Sequence, residues 1–262
     1  MSFLTQRFAE LFIFDRRVGT GLRNISVKRK AKLLTLPLLH LKRNPKRFFM
    51  TQINLWADAD HALGYLAQAD RIPHRTEGEG VLLEQVPKTV KRILDLGTGD
   101  GRLLALLKID RPLVQSVAID FSPTMLEAAK NRFAGDASVE LIAHNLDEPL
   151  PPNLGYFDVV VSSFAIHHVT HKRKRSLYTE IFHLLEPGGI FCNLEHISSS
   201  TPALHERFRQ ALGIADEPED PSNKLLDVET QLVWLREIGF IDVDCYWKWL
   251  ELALLVGVKP QY

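Results

Sequence analysis

Two pairs of ionisable side chains have residue types suited to proton transfer. His167 and His168 follow one apolar run of the chain, and Glu195 and His196 follow another. Imidazole titrates near neutral pH, so a histidine of either pair could accept a proton from a substrate. The alternative is structural: a histidine that caps a helix, or Glu195 and His196 bonded to each other or to loop backbone. A metal site built from these four residues is less well supported, because their spacing matches no recognised ligand pattern.

A glycine-rich loop after an apolar run could hold a cofactor against bare backbone. Residues 92–101 read RILDLGTGDG, with Gly97, Gly99 and Gly101 at alternate positions. Glycine lacks a Cβ and tolerates positive φ, so a ligand can approach the main chain closely. A dinucleotide site needs a third glycine, for helix packing beside the pyrophosphate, at the position that Arg102 occupies here. The spacing therefore disfavours a nicotinamide-dependent dehydrogenase.

An acid at the start of this loop favours a cationic ligand. Asp95 would repel phosphate groups, whereas it suits the ammonium group of an amino acid. With the pattern D-x-G-x-G-x-G, the chain resembles the class I S-adenosylmethionine-dependent methyltransferases. The resemblance implies S-adenosyl-L-methionine as the cofactor, which has an amino-acid end, a ribose and an adenine but no phosphate. It implies cofactor contacts along the loop, at Asp95, Gly97, Thr98, Gly99 and Gly101.

A second acid is placed to bind a ribose. The predicted strand 115–119 ends in Asp120, which lies 25 positions after Asp95 and 19 after Gly101. An acid at the carboxyl end of the second strand can accept hydrogen bonds from both ribose hydroxyls. Dehydrogenases use the same contact, so Asp120 indicates a ribose without choosing between cofactors. We assign Phe121, the next residue, to the same site.

The third strand is followed by the expected adenine contacts. The resemblance implies an acid soon after this strand, which accepts a hydrogen bond from the adenine amino group, and a backbone N–H at the next residue. These positions are Asn145 and Leu146. An asparagine can still accept through its carbonyl oxygen, but the departure from the family pattern leaves Asp147 as a rival.

The fourth strand, residues 157–163, ends in two serines. Ser162 and Ser163 come at the point where the order of strands is expected to reverse. Open α/β sheets bind ligands at the carboxyl ends of their strands, beside such a switch point. We therefore expect both serines at the cofactor.

Strands that alternate with helices predict an α/β fold whose parallel sheet is covered on both faces. A turn at 186–189 should lead into the fifth strand, 190–194. Residues 240–246 and 250–258 read as an antiparallel pair joined by 247–249. The resemblance implies a Rossmann-like, mostly parallel sheet of order 3-2-1-4-5-7-6 with an antiparallel C-terminal hairpin.

Two helices are predicted before the first strand. Residues 55–66 are amphipathic and carry Trp56 and Tyr65, while Thr76 and Glu79 have the spacing of a capping box at the next helix. The resemblance implies that these helices form a lid over the sulfonium. Trp56 and Tyr65 either contact the ligand or pack on the domain.

The positive and negative charges of the chain are segregated. Residues 1–50 hold 12 Lys and Arg against 2 Asp and Glu, and residues 51–262 hold 20 against 30. The acidic part makes nucleic acid a poor substrate, since binding it needs basic patches. We divide the chain into a basic extension, 1–49, and a cofactor-binding domain, 50–262. The extension is either poorly ordered chain translated from an upstream start, or an arm that touches an anionic surface or nucleic acid. Its acidic residues and lack of a signal-peptide core argue against targeting.

Composition and cysteine usage predict where the protein works. The chain of 262 residues is 45% apolar, which suffices for a core, and no run is long enough to predict a transmembrane segment. Cys192 and Cys245 would not be neighbours in the expected sheet, which fits a reducing cytoplasm. Together with the resemblance, these features predict a cytoplasmic methyltransferase of small molecules that binds no metal, with substrate selection in inserted segments such as 198–223. The alternatives are a related enzyme that uses the same cofactor for another transfer, such as carboxymethyl chemistry, and a non-catalytic regulatory subunit.

Overall fold

The computed structural model describes Trp56, residues 58–68 and residues 72–262. These residues form a seven-stranded sheet of order β3-β2-β1-β4-β5-β7-β6. The strands are β1 (Arg92–Leu96), β2 (Gln115–Asp120), β3 (Val139–Ala143), β4 (Phe157–Ser163), β5 (Leu185–His196), β6 (Ile241–Trp249) and β7 (Leu252–Val258). Strands β1 to β5 are parallel, and β7 runs antiparallel to both β5 and β6. The predicted Rossmann-like sheet, its strand order and its antiparallel C-terminal pair are confirmed.

Helices cover both faces of the sheet. They are α1 (Ala59–Gln68), α2 (Arg75–Gln85), α3 (Arg102–Asp110), α4 (Pro123–Arg132), α5 (His171–Leu184), α6 (Pro202–Leu212) and α7 (Val228–Ile238). One core joins Tyr178 of α5 and Leu235 of α7 to Leu94 of β1. The other contains Leu82 of α2 and Phe208 of α6. Burial on both faces explains why the central strands read as nearly continuous apolar runs.

Strand boundaries differ from the sequence prediction at β5 and at the β6–β7 turn. Strand β5 begins at Leu185, so the predicted turn 186–189 lies inside the strand. Gly188 has φ 77°, and the β4–β5 register is irregular near this point, so the glycines bend the strand without ending it. The predicted connection 247–249 belongs to β6, and the chain turns instead just after it, where Leu250 has φ 48°.

Helices α1 and α2 precede β1 as predicted, but the capping box is wrong. Helix α2 begins at Arg75, with His74 as its N-cap residue, so Thr76 lies inside the helix. The Glu79 carboxylate accepts hydrogen bonds from Arg75 and Arg102. A buried acid is most stable next to its counter-charges, and tertiary pairing therefore replaces the local cap.

The predicted boundary between residues 49 and 50, and the basic extension before it, lie outside the described residues. Among the helices that the structure does describe, none is long and apolar enough to cross a bilayer. Cys192 and Cys245 lie on β5 and β6, which β7 separates.

Candidate active site

A pocket of about 860 Å³, including its mouth, opens at the carboxyl ends of β1, β2 and β4. Its walls come from the loops after these strands, with Tyr65 of α1 and Arg75 of α2 on the other side. Strand β1 lies between β2 and β4 in the sheet, so the pocket sits at the switch point where α/β folds bind ligands.

The three glycines of the loop occupy their positions for different structural reasons. A Cβ on Gly97 would lie 2.1 Å from Ala165 Cβ, and one on Gly101 would lie 2.3 Å from Phe133 Cε2. A Cβ on Gly99 would come no closer than 3.9 Å to the nearest atom, Met125 Sδ, and Gly99 lines the pocket. Gly97 and Gly101 thus permit close packing, whereas Gly99 keeps the pocket floor open. Gly101 is not part of the lining.

Asp95 lies at the end of β1 and is almost fully buried. Its Oδ2 accepts a hydrogen bond from Thr98 Oγ1 at 2.6 Å, and both residues line the pocket. Burial raises the pKa of Asp95 to about 7, although the Thr98 bond lowers it, and Asp120 adds to the rise. A carboxyl group in this setting would favour a ligand that brings a positive charge.

Asp120, at the end of β2, is held by backbone hydrogen bonds. Its Oδ2 accepts from Gly99 N at 2.9 Å and its Oδ1 from Ser122 N, also at 2.9 Å. Burial raises the pKa of Asp120 in spite of these bonds. Each carboxylate oxygen keeps a lone pair that can accept a hydroxyl. Asp120 and Phe121 both line the pocket.

The loop after β3 brings all three adenine candidates to the pocket. Asn145, Leu146 and Asp147 line it. Asn145 Oδ1 already accepts the backbone N–H of Asp147 at 3.0 Å, which closes a local turn. The amide carbonyl is therefore partly used inside the loop.

The two serines at the end of β4 have different surroundings. Ser162 Oγ donates to Leu96 O at 2.8 Å inside the sheet, and Ser162 is not part of the pocket lining. Ser163 lines the pocket, and its buried Oγ has no hydrogen-bond partner among the described residues. A buried hydroxyl without a partner is costly, so Ser163 offers a bond to a ligand and Ser162 does not.

The predicted histidine pair lies on a short 3-10 helix, Ile166–His168. Of the four acid/base candidates, His168 alone lines the pocket. Its Nδ1 lies 2.9 Å from Ser222 Oγ, and its ring packs between His167 and Trp56, with centroids at 3.9 and 5.1 Å. Burial, and then the neighbouring His167, hold the pKa of His168 well below its ordinary value. The ring is therefore neutral at physiological pH.

The other three candidates lie behind the pocket. Glu195 is fully buried, with Oε1 2.8 Å from His167 Nδ1 and Oε2 3.7 Å from Lys174 Nζ. Burial alone would raise the pKa of Glu195, but Lys174 and then His167 bring it below its ordinary value. His196 Nε2 lies 3.1 Å from Glu251 Oε2. These contacts give Glu195 a counter-charge and orient His167, without bringing either residue to the pocket.

Two arginines that sequence reasoning missed also line the pocket. Arg75 and Arg102 both donate to Glu79 Oε1 at 2.9 Å, and the Arg75 guanidinium lies 5.3 Å from the centroid of the Phe164 ring. The Thr76–Glu79 spacing predicted a helix cap. Only the contact between α2 and α3 in the folded chain shows that Arg75, Glu79 and Arg102 form a charged triad. No group of three or more potential metal ligands occurs in the part of the chain that the structure describes.

Comparison with known proteins gives the same family from sequence. A family described as "Methyltransferase domain" matches residues 93–189. The demethylmenaquinone methyltransferase of Clavibacter sepedonicus is 31% identical over 190 residues, which cover 66% of this chain and 76% of that protein. The carboxy-S-adenosyl-L-methionine synthase of Helicobacter hepaticus is 25% identical over 211 residues, which cover 72% of this chain and 87% of that protein.

Solved structures share the fold. The apo S-adenosylmethionine-dependent methyltransferase SibL matches with a TM-score of 0.59 at 20% identity, over 77% of this chain. Human N-acetylserotonin methyltransferase in complex with SAM matches with a TM-score of 0.58 at 18% identity, over 79% of this chain. This chain spans 58% of each of those two chains. At these identities the likeness concerns the fold alone.

Proposed function

The chain belongs to the class I S-adenosylmethionine-dependent methyltransferases, and we propose that it transfers the methyl group of its cofactor to a small-molecule acceptor. The single observation that carries the proposal is the pair of buried carboxylates, Asp95 and Asp120, that flank an open glycine backbone in one pocket. Asp95 is suited to bind an ammonium group, and Asp120 is suited to bind a ribose. The acidic balance of residues 51–262 supports a small acceptor over nucleic acid.

The pocket residues fit S-adenosyl-L-methionine. In the proposal, Asp95 lies by the ammonium group, Asp120 accepts from the ribose hydroxyls, and Ser163 uses its otherwise unpartnered Oγ. The adenine amino group is bound by Asn145 or by its rival Asp147. The backbone N–H of Leu146 would serve the ring, and Gly97, Thr98 and Gly99 supply the pocket floor. When bound, the cofactor supplies an electrophilic methyl group on a sulfonium.

For the chain's own residues, the main tasks are to hold the acceptor in line, exclude water and remove a proton. His168 is the proposed base, because it is the predicted acid/base residue that reaches the pocket and its ring is neutral. Trp56 and Tyr65, whose ring centroids lie 5.1 Å apart, would cover the acceptor from the lid side. His167 and Glu195 support His168 from behind.

A second candidate function is another transfer from the same cofactor. Relatives named carboxy-S-adenosyl-L-methionine synthase match at 25 to 30% identity, so a reaction that modifies the cofactor's own methyl group is the specific alternative. A non-catalytic regulatory subunit would bind the cofactor and turn over nothing.

Binding and turnover together test these functions. Calorimetry with S-adenosylmethionine, S-adenosylhomocysteine and NAD should show binding of the first two and not of NAD. Incubation of the protein with methyl-labelled cofactor and a panel of hydroxylated aromatic compounds and amines should give S-adenosylhomocysteine and a labelled acceptor. Label retained on a modified sulfonium would favour the second function. Cofactor binding without any product from a full metabolite panel would favour the regulatory subunit.

A further inference from the structure

The segment between α6 and α7, residues 213–227, reaches the histidine pair at the end of β4. Ser222 Oγ lies 2.9 Å from His168 Nδ1, and Lys224 N donates to His167 O at 2.8 Å. These residues are more than 50 positions apart in sequence. The segment therefore touches the proposed base itself.

Local hydrogen bonds hold the backbone around Ser222 in place. Asp220 Oδ1 accepts from Ser222 N at 2.8 Å, and Asp220 O accepts from Asn223 N at 3.1 Å. Lys224 Nζ donates to Pro221 O at 2.9 Å and to Ser222 O at 3.2 Å. Two polar side chains thus fold the segment into a turn with Ser222 at its tip. The Ser222 backbone is thus held by contacts that do not involve His168.

Packing alone cannot orient the His168 ring. It lies against the rings of His167 and Trp56, which are tilted to it by 45° and 58°. Such contacts restrain the plane of an imidazole, but they do not decide which nitrogen carries the hydrogen. The contact with Ser222 lies at Nδ1 and leaves Nε2 for a ligand, and the tautomer depends on whether the hydroxyl accepts a hydrogen bond there or donates one.

We propose that Ser222 is a positioning residue, which accepts the Nδ1–H of His168 and so keeps the Nε2 lone pair available as the proton acceptor in the pocket. The inference rests on the proposed base role of His168. Had Ser222 donated to Nδ1, Nε2 would carry the hydrogen and His168 could not remove a proton from an acceptor. Ser222 thus acts through His168 and needs no contact with the substrate.

The tautomer of His168 can be measured without an acceptor. The full-length protein, labelled with ¹⁵N-histidine, is studied by two-bond ¹H–¹⁵N correlation near pH 8, where histidine is neutral. The His168 signals are those missing from His168→Asn. We expect the Nδ1–H tautomer in the wild-type protein and in Ser222→Thr, which keeps the hydroxyl. In Ser222→Ala the Nε2–H tautomer should become the major form.

An Nε2–H tautomer in the wild-type protein, or the same tautomer in Ser222→Ala as in wild type, would overturn the inference. Once methyl transfer is measured, Ser222→Ala should lower kcat by about 2- to 10-fold, as for loss of one neutral hydrogen bond, and Ser222→Thr should restore it. An unchanged kcat would also count against Ser222. Full activity of His168→Asn, by contrast, refutes the base role in the proposed function while the tautomer result stands by itself.

Discussion

At the scale of single residues, the carboxylate of Asp120 is fixed by Gly99 N and Ser122 N. Replacement by Ala removes the proposed acceptor of the ribose hydroxyls. Affinity for S-adenosylhomocysteine should fall by about 1.5–3 kcal/mol, the usual contribution of a hydrogen bond to a charged group. Calorimetry measures the loss, with the exposed Asp216→Ala as the control. Equal affinity in Asp120→Ala and wild type would remove Asp120 from the site.

Asp95 should couple cofactor binding to pH. Burial raises the pKa of Asp95 to about 7, so the empty site holds a proton below that pH and must release it to face an ammonium group. Affinity should therefore rise with pH, by up to about tenfold per unit below 7, and level off above it. Titrations from about pH 5 upward in buffers of different ionisation enthalpy would detect the released proton. Asp95→Asn should bind the cofactor more weakly, and its affinity should no longer rise with pH. If the affinity of Asp95→Asn still rises with pH, another group is responsible.

His168 should control turnover more than binding. Replacement of His168 by Asn should lower kcat by about 10²- to 10⁴-fold, as for loss of a positioned base, with cofactor affinity nearly unchanged. Because burial and His167 keep the pKa of His168 well below its ordinary value, the wild-type kcat at saturating cofactor should hold at mildly acidic pH and fall only when the ring protonates. His183→Asn, on the exposed side of α5, is the matched control. Wild-type kcat in His168→Asn would leave catalysis to proximity and exclusion of water.

At the scale of elements, Glu79 joins α2 to α3. Its almost fully buried carboxylate accepts hydrogen bonds from Arg75 and Arg102. Glu79→Gln removes the negative charge that both guanidinium groups bind, and loss of one partner from a buried ion pair costs about 3–5 kcal/mol. The free energy of unfolding in urea should fall by that amount. Glu77→Gln is the control, since Glu77 is exposed and pairs only with His74 among the described residues; equal losses would show that the triad adds nothing.

The same elements show which parts of the site could be predicted from sequence. The place of the β1 loop and Asp120 at the pocket was predictable, because each directly follows its strand and alternating glycines have few other uses. The position of Ser162 could not be predicted in this way. Neighbouring strand residues point to opposite faces, and spacing alone does not say which serine faces the pocket. Glu79 and Ser222 depend on partners far along the chain, at Arg102 and His168. Local patterns contain no signal for such contacts.

At the scale of the whole molecule, charge divides the chain. Residues 1–50 carry a balance of +10 and residues 51–262 one of −10. A basic segment of this kind is attracted to anionic surfaces, and the attraction weakens as salt screens it. We propose that any such contact belongs to residues 1–49 and that cofactor binding belongs to residues 50–262, where the described pocket lining begins at Trp56.

A chain that begins at Met50 tests this separation. The high positive charge of residues 1–49 disfavours their burial, and the residues that line the described pocket all come after them in the sequence. The shortened protein should therefore melt at nearly the same temperature as the full chain and bind S-adenosylhomocysteine with equal affinity. Scanning calorimetry and binding titrations make the comparison. Anionic vesicles should retain only the full chain, and less of it at high salt than at low salt. Loss of solubility or of cofactor binding on truncation would mean that residues 1–49 are an integral part of the fold.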